Sequence, residues 1–396
     1  MTANKLRSAL AAALLGTAAI AGAAALLSVP AMAANVRPEV GTPLQEAQKL
    51  AASGNYKAAM AKVNEAESVP GKTADESDII AKMKSFVGVK SGDASLGGLA
   101  AAKAKFGNDY AARNYSAVIA AGDTLKSLGG LGTSEKQVIA QSYYLNKNAA
   151  GCVKYIKANL TSPDDTTLEL LNRCAYDAND EDTQRQALET LVSHSGKTEN
   201  WNSLLKLSER SKGMNDHQTL NIYRLKNNTG TIAGKDEYTT LAQLAIQLKL
   251  PAEAQAVVEK GAAAGVLNDA RSQRLLALAK TQAAAQKGGL AAAAAAAAKD
   301  PNGDALIQVA EQQLTQGDAA GAVASATAAQ AKAKDKDNAA MVLGQAQLAA
   351  GKKAEAAKTF NSIKSTPNAT MIAHLYALYS AKAPAVAAPK APAKKG

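Results

Sequence analysis

Residues 343–367 read LGQAQLAAGKKAEAAKTFNSIKSTP, in which a glycine turn separates two segments whose small apolar residues recur at helical spacing. The turn at Gly351 has a counterpart at Gly317, 34 residues earlier, and in both copies an alanine follows five residues after the glycine. The same spacing, or a multiple of it, places further turns at Arg113, Lys147 and Lys249, with looser copies at Glu181, Asn215 and Ala283. A period of this length, kept over most of the chain, indicates a helical-repeat array.

The composition supports the same fold class. Of the 396 residues, 47% are hydrophobic but only 4% are aromatic, and alanine is the commonest apolar residue. Alanine is the best helix former, whereas strands favour β-branched and aromatic residues, so sandwiches, barrels and propellers are excluded. The 29 glycines have no three-residue period, which excludes collagen. We therefore predict an all-α protein, a right-handed α-solenoid in which antiparallel helix pairs stack and share one continuous core.

Two stretches near the ends of this array resemble a known repeat family. Gly54-Asn55-Tyr56, with Ala47 and Leu50 before it and Ala59 and Val63 after it, resembles a tetratricopeptide repeat, and so does the unit built on Leu343-Gly344, Gly351, Ala356 and Phe360. The middle segment, with Trp201, Leu204 and Arg224, resembles exported proteobacterial repeat proteins whose biochemistry is unassigned. The resemblance implies repeats of two antiparallel helices. Residues 88–108, which include five glycines, break the period, and we expect an irregular linker or a shortened unit there.

The amino-terminal residues predict export, and the remainder of the chain divides into three segments. Lys5 and Arg7 precede an apolar run that ends in Ala31-Met32-Ala33, so residues 1–33 are predicted to be a Sec-type signal peptide cleaved near Ala33; a retained membrane anchor is the alternative. The short, alanine-rich signal favours the periplasm. We divide the rest into repeats with the glycine-rich stretch over 34–108, the main array over 109–381 and a disordered Ala/Pro/Lys tail over 382–396.

The charge excludes one class of partner. The net charge of +11 falls to +9 without Lys5 and Arg7, and to +5 without the four lysines of the tail. The remaining charge is spread without clusters of basic residues, so we predict no nucleic-acid binding. The tail itself could hold weakly to an anionic cell-wall surface, or could serve only for solubility; its lysines are Lys382, Lys390, Lys394 and Lys395.

The chain has two cysteines, Cys152 and Cys174, each eleven residues from Pro163. If Pro163 lies in the turn of a helical hairpin, the two side chains fall at the same height and can form a disulfide, which suits an oxidising compartment. The alternative is a pair of buried free thiols. A run of eight alanines, Ala291 to Ala298, is predicted to be a helix buried against its neighbours, or else a mobile spacer.

Motifs for catalysis are missing from the sequence. His194, His217 and His374 lie far apart and have no partner at metal-ligand spacing. Ser195-Gly196-Lys197-Thr198 ends like a phosphate loop, but leucine occupies position 191, where the first glycine is required. We therefore predict no enzyme activity, no metal and no cofactor.

Binding to another protein is the function that the repeats favour, because solenoids present a concave face to peptides or helices. Taking one face of each first helix gives a predicted partner-binding set of Gln137, Gln141, Tyr144, Asp236, Gln243, Asn338, Met341 and Gln345. We predict a periplasmic scaffold or adaptor that binds a protein or peptide and acts in cell-envelope assembly or maintenance. The alternative is a structural cell-wall protein tethered by its cationic tail.

Overall fold

A computed structural model describes residues 36–382, and within them every regular element is a helix. Residues 1–35, which contain the predicted signal peptide, and residues 383–396 lie outside the described residues. The chain divides after Asn179 into two compact units, called unit 1 and unit 2. The helices of unit 1 are α1 (Pro38–Ala52), α2 (Tyr56–Ser68), α3 (Ala74–Ser91), α4 (Ala94–Ala111), α5 (Tyr115–Ser127), α6 (Thr133–Leu145), α7 (Ala149–Asn159) and α8 (Asp165–Asp177).

The helices of unit 2 are α9 (Glu181–Ser195), α10 (Thr198–Glu209), α11 (Asp216–Thr229), α12 (Gly234–Gln247), α13 (Pro251–Ala263), α14 (Ala270–Lys299), α15 (Asp304–Thr315), α16 (Ala319–Lys332), α17 (Lys336–Ala349), α18 (Lys353–Asn361) and α19 (Pro367–Lys382). In each unit, every helix packs against the next one along the chain. The predicted all-α helical-repeat fold is confirmed, and its handedness stays a prediction. None of the described helices is both long and apolar enough to cross a bilayer.

The predicted turns have one backbone conformation. Arg113, Lys147, Lys249, Gly317 and Gly351 all have positive φ, between 58° and 85°. Each of these residues lies between two helices, directly before the residue that caps the start of the second helix. At several turns that next residue is an asparagine or aspartate whose side chain accepts a hydrogen bond from the first helical turn. The 34-residue period is therefore a period of chain reversals.

Two stretches differ from expectation. Instead of an irregular linker, residues 94–111 form a helix that is interrupted only at Gly98, whose φ of 55° and ψ of −141° are not helical. At Ala283, where the period places a turn, the chain stays helical, because Ala283 lies within the 30-residue helix α14. The alanine run is helical as predicted, but the prediction that it is buried was wrong, since Ala297 alone of the eight is buried.

Close helix packing explains why a chain with 47% hydrophobic residues contains so few large apolar side chains. Between α3 and α4, a Cβ added to Gly97 would lie 2.6 Å from the carbonyl carbon of Gly88. The two backbones can approach this closely because neither residue has a side chain. Such contacts bury backbone and methyl groups, and a large side chain at either position would separate the helices.

The last helix of unit 2 returns to the first ones. The α19 helix packs against α9 and α11 as well as against its neighbours α17 and α18. The hydroxyl of Tyr376 donates to the Asn221 carbonyl at 3.1 Å, and the ring of Tyr379 meets Trp201 edge-on, with 6.3 Å between centroids. Residues from both ends of unit 2 therefore come together, and their meeting point forms a cleft.

Candidate functional site

The cleft has a volume of about 350 Å³ and lies in unit 2, where the amino ends of α11, α17 and α19 converge. These ends meet because α19 packs on α11 and α17. The residues that line it are Asn215, His217, Gln218, Asn221, Lys334, Asp335, Lys336, Asp337, Asn338, Met341, Ile363, Ser365, Thr366, Ala369 and Ile372. They form an apolar floor around Met341, Ile363 and Ile372 and a polar rim.

Several polar groups of the rim already have partners within the protein. Asp335 caps α17 by accepting a hydrogen bond from the Asn338 backbone N–H at 2.9 Å. Asp337 accepts a hydrogen bond from the hydroxyl of Ser365. Asn215 and Gln218 form a reciprocal capping box at the start of α11. The carboxylates of the rim therefore fix the helix ends and the α18–α19 turn in place.

Two rim side chains remain available. The ammonium group of Lys334 and the amide of Asn338 make no hydrogen bond to the described part of the chain, while the Lys336 ammonium donates to the Gln330 carbonyl at 2.7 Å. An ammonium offers donors, and an amide offers both donors and an acceptor. Beside an apolar floor, these groups suit a ligand that combines an apolar side chain with backbone-like carbonyl and N–H groups.

A buried charged cluster supports the floor. Two guanidinium nitrogens of Arg224, Nε and Nη2, donate to the Glu253 carboxylate at 2.8 and 2.7 Å. The third, Nη1, donates to Glu311 at 3.2 Å and to Gln345 at 3.3 Å. Burial by itself would lower the pKa of Arg224, but the charges of Glu253 and Glu311 outweigh it and raise that pKa. The guanidinium is therefore held as a cation that joins four helices: α11, α13, α15 and α17.

His217 lies between the cleft and this cluster. Its Nδ1 is 3.9 Å from Oε2 of Glu311, and both atoms are buried without a hydrogen-bond partner. The side chain of Glu311 is only 1% exposed, whereas that of His217 is 32% exposed because it lines the cleft. A buried carboxylate oxygen left without a donor is costly, so this is the least satisfied point of the site.

Three members of the predicted partner-binding set are buried and do not lie on the open helix face where the repeat period placed them. Gln345 is 7% exposed and its amide donates to Asn221 at 2.7 Å, because it belongs to the Arg224 cluster. Gln141 in unit 1 is 5% exposed and accepts a hydrogen bond from the Tyr110 hydroxyl at 2.6 Å. Met341 is 5% exposed and forms part of the cleft floor.

The other five members lie at or near the surface. Gln137 donates to Asp164 and to Thr167, each at 3.0 Å, and Tyr144 packs under Arg173. Asp236 and Gln243 are exposed on α12, and the half-buried Asn338 lines the cleft. The structure thus brings Asn338 and Met341 into one site and leaves the rest apart. Their role in partner binding stays a prediction.

The two cysteines are bonded in the structure. Sγ of Cys152 on α7 and Sγ of Cys174 on α8 are 2.06 Å apart, and both residues are fully buried. The disulfide therefore joins the two helices of one hairpin in unit 1. No group of three or more potential metal ligands occurs among the described residues.

Sequence analysis did not single out Glu253 or Glu311, named His217 only as a histidine without a metal-ligand partner, and noted Arg224 only in a resemblance. A signal was present, since Arg224 lies next to Leu225 and four residues after Leu220, both fully buried. An arginine on the apolar face of a helix indicates a buried cation that needs carboxylate partners. Which carboxylates those are depends on helices far along the chain.

Comparison with known proteins adds little to this description. No family model matches the chain, and no curated protein matches it. Among solved structures, a chain of "Structure of Naa15/Naa10 bound to HypK-THB" is similar over 82% of this chain and 68% of that chain, at 13% sequence identity and a TM-score of 0.22. A likeness at this TM-score carries no argument for function.

Proposed function

We propose that the protein is a scaffold that binds an extended segment of another protein in the cleft of unit 2. The observation that carries the proposal is the combination of an apolar floor with unpaired donors on a rigidly held rim. Capping bonds and the Arg224 cluster hold the cleft in shape, so a ligand need not order it on binding. One apolar side chain of the ligand fills the floor, and its backbone pairs with Lys334 and Asn338.

We further propose that this scaffold works in the periplasm, in assembly or maintenance of the cell envelope, and has no enzyme activity. Export is supported by the sequence of residues 1–33 and by the disulfide, because disulfides persist in oxidising compartments. The proposal of a non-enzyme is supported by the sequence, which lacks nucleophile, phosphate-binding and metal motifs. Cell fractionation combined with mass spectrometry of the mature amino terminus tests the location. A periplasmic chain that begins near residue 34 is expected, and a cytoplasmic chain that retains residues 1–33 would contradict it.

Photocrosslinking tests the binding site. Benzoylphenylalanine placed at Asn338, on the rim, should give a discrete adduct in the native host. The matched control places the same group at Ala320, which is exposed on α16 and does not line the cleft. Equal labelling from both positions, or none from Asn338, would contradict the proposal.

The peptide identified in the adduct then allows a quantitative test. A synthetic copy of that peptide should bind to the full chain, and Lys334→Ala and Asn338→Ala should each weaken binding severalfold, in line with ~1 kcal/mol for a lost hydrogen bond. Ala320→Ser should leave the affinity unchanged. If neither rim substitution alters the affinity, the peptide binds elsewhere.

A further inference from the structure

Three tyrosines occupy the same position in successive helix pairs of unit 1. They are Tyr110 on α4, Tyr144 on α6 and Tyr176 on α8. Each lies three residues before the residue with positive φ in the turn that follows its helix, and those turn residues are Arg113, Lys147 and Asn179. Tyr110 and Tyr144 are half-buried, whereas Tyr176 is 57% exposed. The repeat therefore brings an aromatic ring to the same end of three helices.

The contacts of these tyrosines repeat as well. The hydroxyl of Tyr110 donates to Gln141 at 2.6 Å, and the guanidinium of Arg173 lies 5.8 Å from the centre of the Tyr144 ring. In both cases the partner lies three residues before the tyrosine of the next helix pair. The helices α4, α6 and α8 are therefore neighbours, and packed helices have axes about 8–10 Å apart. The three tyrosines form a ladder with one ring at each step of about that length, which we call the tyrosine ladder.

The last ring of the tyrosine ladder has acidic surroundings. Glu169 and Asp177 lie on the same helix as Tyr176, and both are exposed. Neither carboxylate has an ion-pair partner in the part of the chain that the structure describes. The whole of α8 carries three carboxylates and one arginine, a net charge of −2, although the protein carries +11. A ladder of this kind suits an extended apolar segment that is followed by cations.

The chain itself contains such a segment after α19. Residues 383–396 read APAVAAPKAPAKKG, in which Val386, Pro389 and Pro392 are spaced by three and two lysines follow. Proline-rich sequences favour the polyproline II conformation, which has three residues per turn and rises about 9 Å per turn. In that conformation the three apolar residues project from one side, at the spacing of the tyrosine ladder. The lysines then continue towards its acidic end.

We propose that the tyrosine ladder of one copy of the protein binds residues 383–396 of a second copy. The three apolar residues of the segment each stack on one ring, as proline-rich segments do in grooves lined by aromatic side chains. Pro392 lies on Tyr176, and the two lysines after it lie beside Glu169 and Asp177. The ladder belongs to unit 1 and the segment follows the last helix of unit 2, so each copy offers both surfaces and the contact is head-to-tail. This contact does not depend on the cleft.

Sedimentation of the full chain over a range of concentrations tests the contact. The parent chain should self-associate as its concentration rises, whereas Tyr144→Ala combined with Tyr176→Ala, the ladder variant, should remain monomeric. Tyr176→Ala alone changes an exposed side chain, so it keeps the fold and should weaken association at least about fivefold. Leu278→Ala, another exposed apolar residue, is the control and should associate like the parent. A parent chain that is monomeric at every soluble concentration would overturn the proposal.

The segment is tested in the same way. Val386→Ser combined with Pro389→Ser and Pro392→Ser, the tail variant, should remain monomeric. Pro384→Ser is its matched control, because this proline lies outside the three-residue spacing, and it should associate like the parent. An equal mixture of the ladder variant and the tail variant should form a complex with one copy of each, since one keeps the segment and the other keeps the ladder. A mixture that stays monomeric would overturn the proposal.

A synthetic peptide separates spacing from charge. The peptide of residues 383–396 should bind to the tail variant at least about fivefold more tightly than a peptide of the same composition in permuted order, because permutation keeps the charge and removes the spacing. Equal affinity of the two peptides would show that charge alone drives binding and would overturn the assigned contact. None of these measurements involves the cleft, so their failure would leave the proposed function standing.

Discussion

Unit 1 is cross-linked by a covalent bond, whereas unit 2 is cross-linked by buried charges. In unit 1 the disulfide between Cys152 and Cys174 joins two consecutive helices. In unit 2, Arg224 joins α11 to α13, α15 and α17, and Lys226 joins α11 to Glu209 and Glu237 at 2.8 and 2.5 Å. Both kinds of cross-link stabilise the arrangement of the helices, because alanine-rich helix pairs bury little apolar area on their own.

The charges of unit 2 behave as ions despite their burial. The side chain of Lys226 is 1% exposed, and burial alone would lower its pKa, but hydrogen bonds to Glu209 and Glu237 raise it. A buried cation with its carboxylates in place costs little overall, whereas removing one member leaves an unpaired charge. The comparison therefore predicts that unit 2 is more sensitive than unit 1 to a single substitution.

The largest effect is expected at Arg224. Arg224→Met leaves Glu253 and Glu311 buried without their cation and should lower the free energy of unfolding of unit 2 by about 3–5 kcal/mol. Urea unfolding followed by the fluorescence of Trp201 measures it, because this single tryptophan lies in unit 2. Lys206→Met, an exposed cation on α10, is the control and should stay within about 0.5 kcal/mol. A loss below about 1 kcal/mol at Arg224 would contradict the role of the cluster.

The disulfide comes next. Replacing both Cys152 and Cys174 by alanine should destabilise unit 1 by about 3 kcal/mol, for a loop closed across 22 residues. Hydrogen exchange of the amides in α7 and α8 measures the loss. The Trp201 transition of unit 2 is the internal control and should not shift. A shift of both units together would show that the two cross-links are not independent.

Glycine substitutions compare tight packing in unit 1 with open helix surface in unit 2. Gly88→Ala should cost about 1–3 kcal/mol, because the added Cβ would lie 2.6 Å from the Gly97 backbone. Gly289→Ala should instead stabilise the chain by about 0.5–1 kcal/mol, since nothing obstructs its Cβ. Thermal unfolding of the two variants gives the signs directly, and equal signs would contradict the packing described for α3 and α4.

The smallest effect is expected from His374. A hydrogen bond to Glu189 raises the pKa of His374, so the pair stabilises unit 2 fully below pH 6.5 and loses this contribution as pH rises through the raised pKa. Because the side chain of His374 is 46% exposed, we expect only a few tenths of a kcal/mol. His374→Gln should remove this slope between pH 6 and 8 in urea unfolding, and an unchanged slope would assign it to another group.

Unit 1 should respond to acid in the opposite direction. Hydrogen bonds from the Arg37 side chain and from the Thr73 backbone lower the pKa of Glu76 to about 2. The pair therefore stabilises unit 1 above the ordinary glutamate pKa of about 4.5 and loses this contribution as pH falls toward 2. Acid titration of Glu76→Gln, with exchange of the α3 amides as readout, should show a weaker loss below pH 4.5 than the parent chain.

The sequence predicted local features well and long-range ones poorly. The turn at Lys249 and those at Gly317 and Gly351 follow from a period that each repeat carries in itself. Gln345 was predicted on an open groove because its helix face could be read from the same period. Its burial depends on Asn221, which is 124 residues away, and no pattern within one repeat contains that partner.

The same limit applies to the cleft. Asn338 and Met341 were predicted as binding residues from their place on α17, and they do line the cleft. His217 and Ile372 could not be placed beside them, because the contact requires α19 to return to α11. Sequence periodicity predicts contacts between helices that are adjacent along the chain. The contact between the last helix of unit 2 and its first helices depends instead on side chains at the two ends of that unit.

The return of α19 also decides how unit 2 folds. Repeat arrays whose units contact only their neighbours can nucleate anywhere and fray from an end. Here Tyr376 bonds to Asn221 and Lys382 bonds to the His194 carbonyl, across 155 and 188 positions of sequence. Contacts between residues so far apart in sequence form slowly, and they make the folding of the unit cooperative. Unit 2 should therefore complete its fold only after its last helix has been synthesised. A chain that ends before α19 should lose the cooperative unfolding of the whole unit.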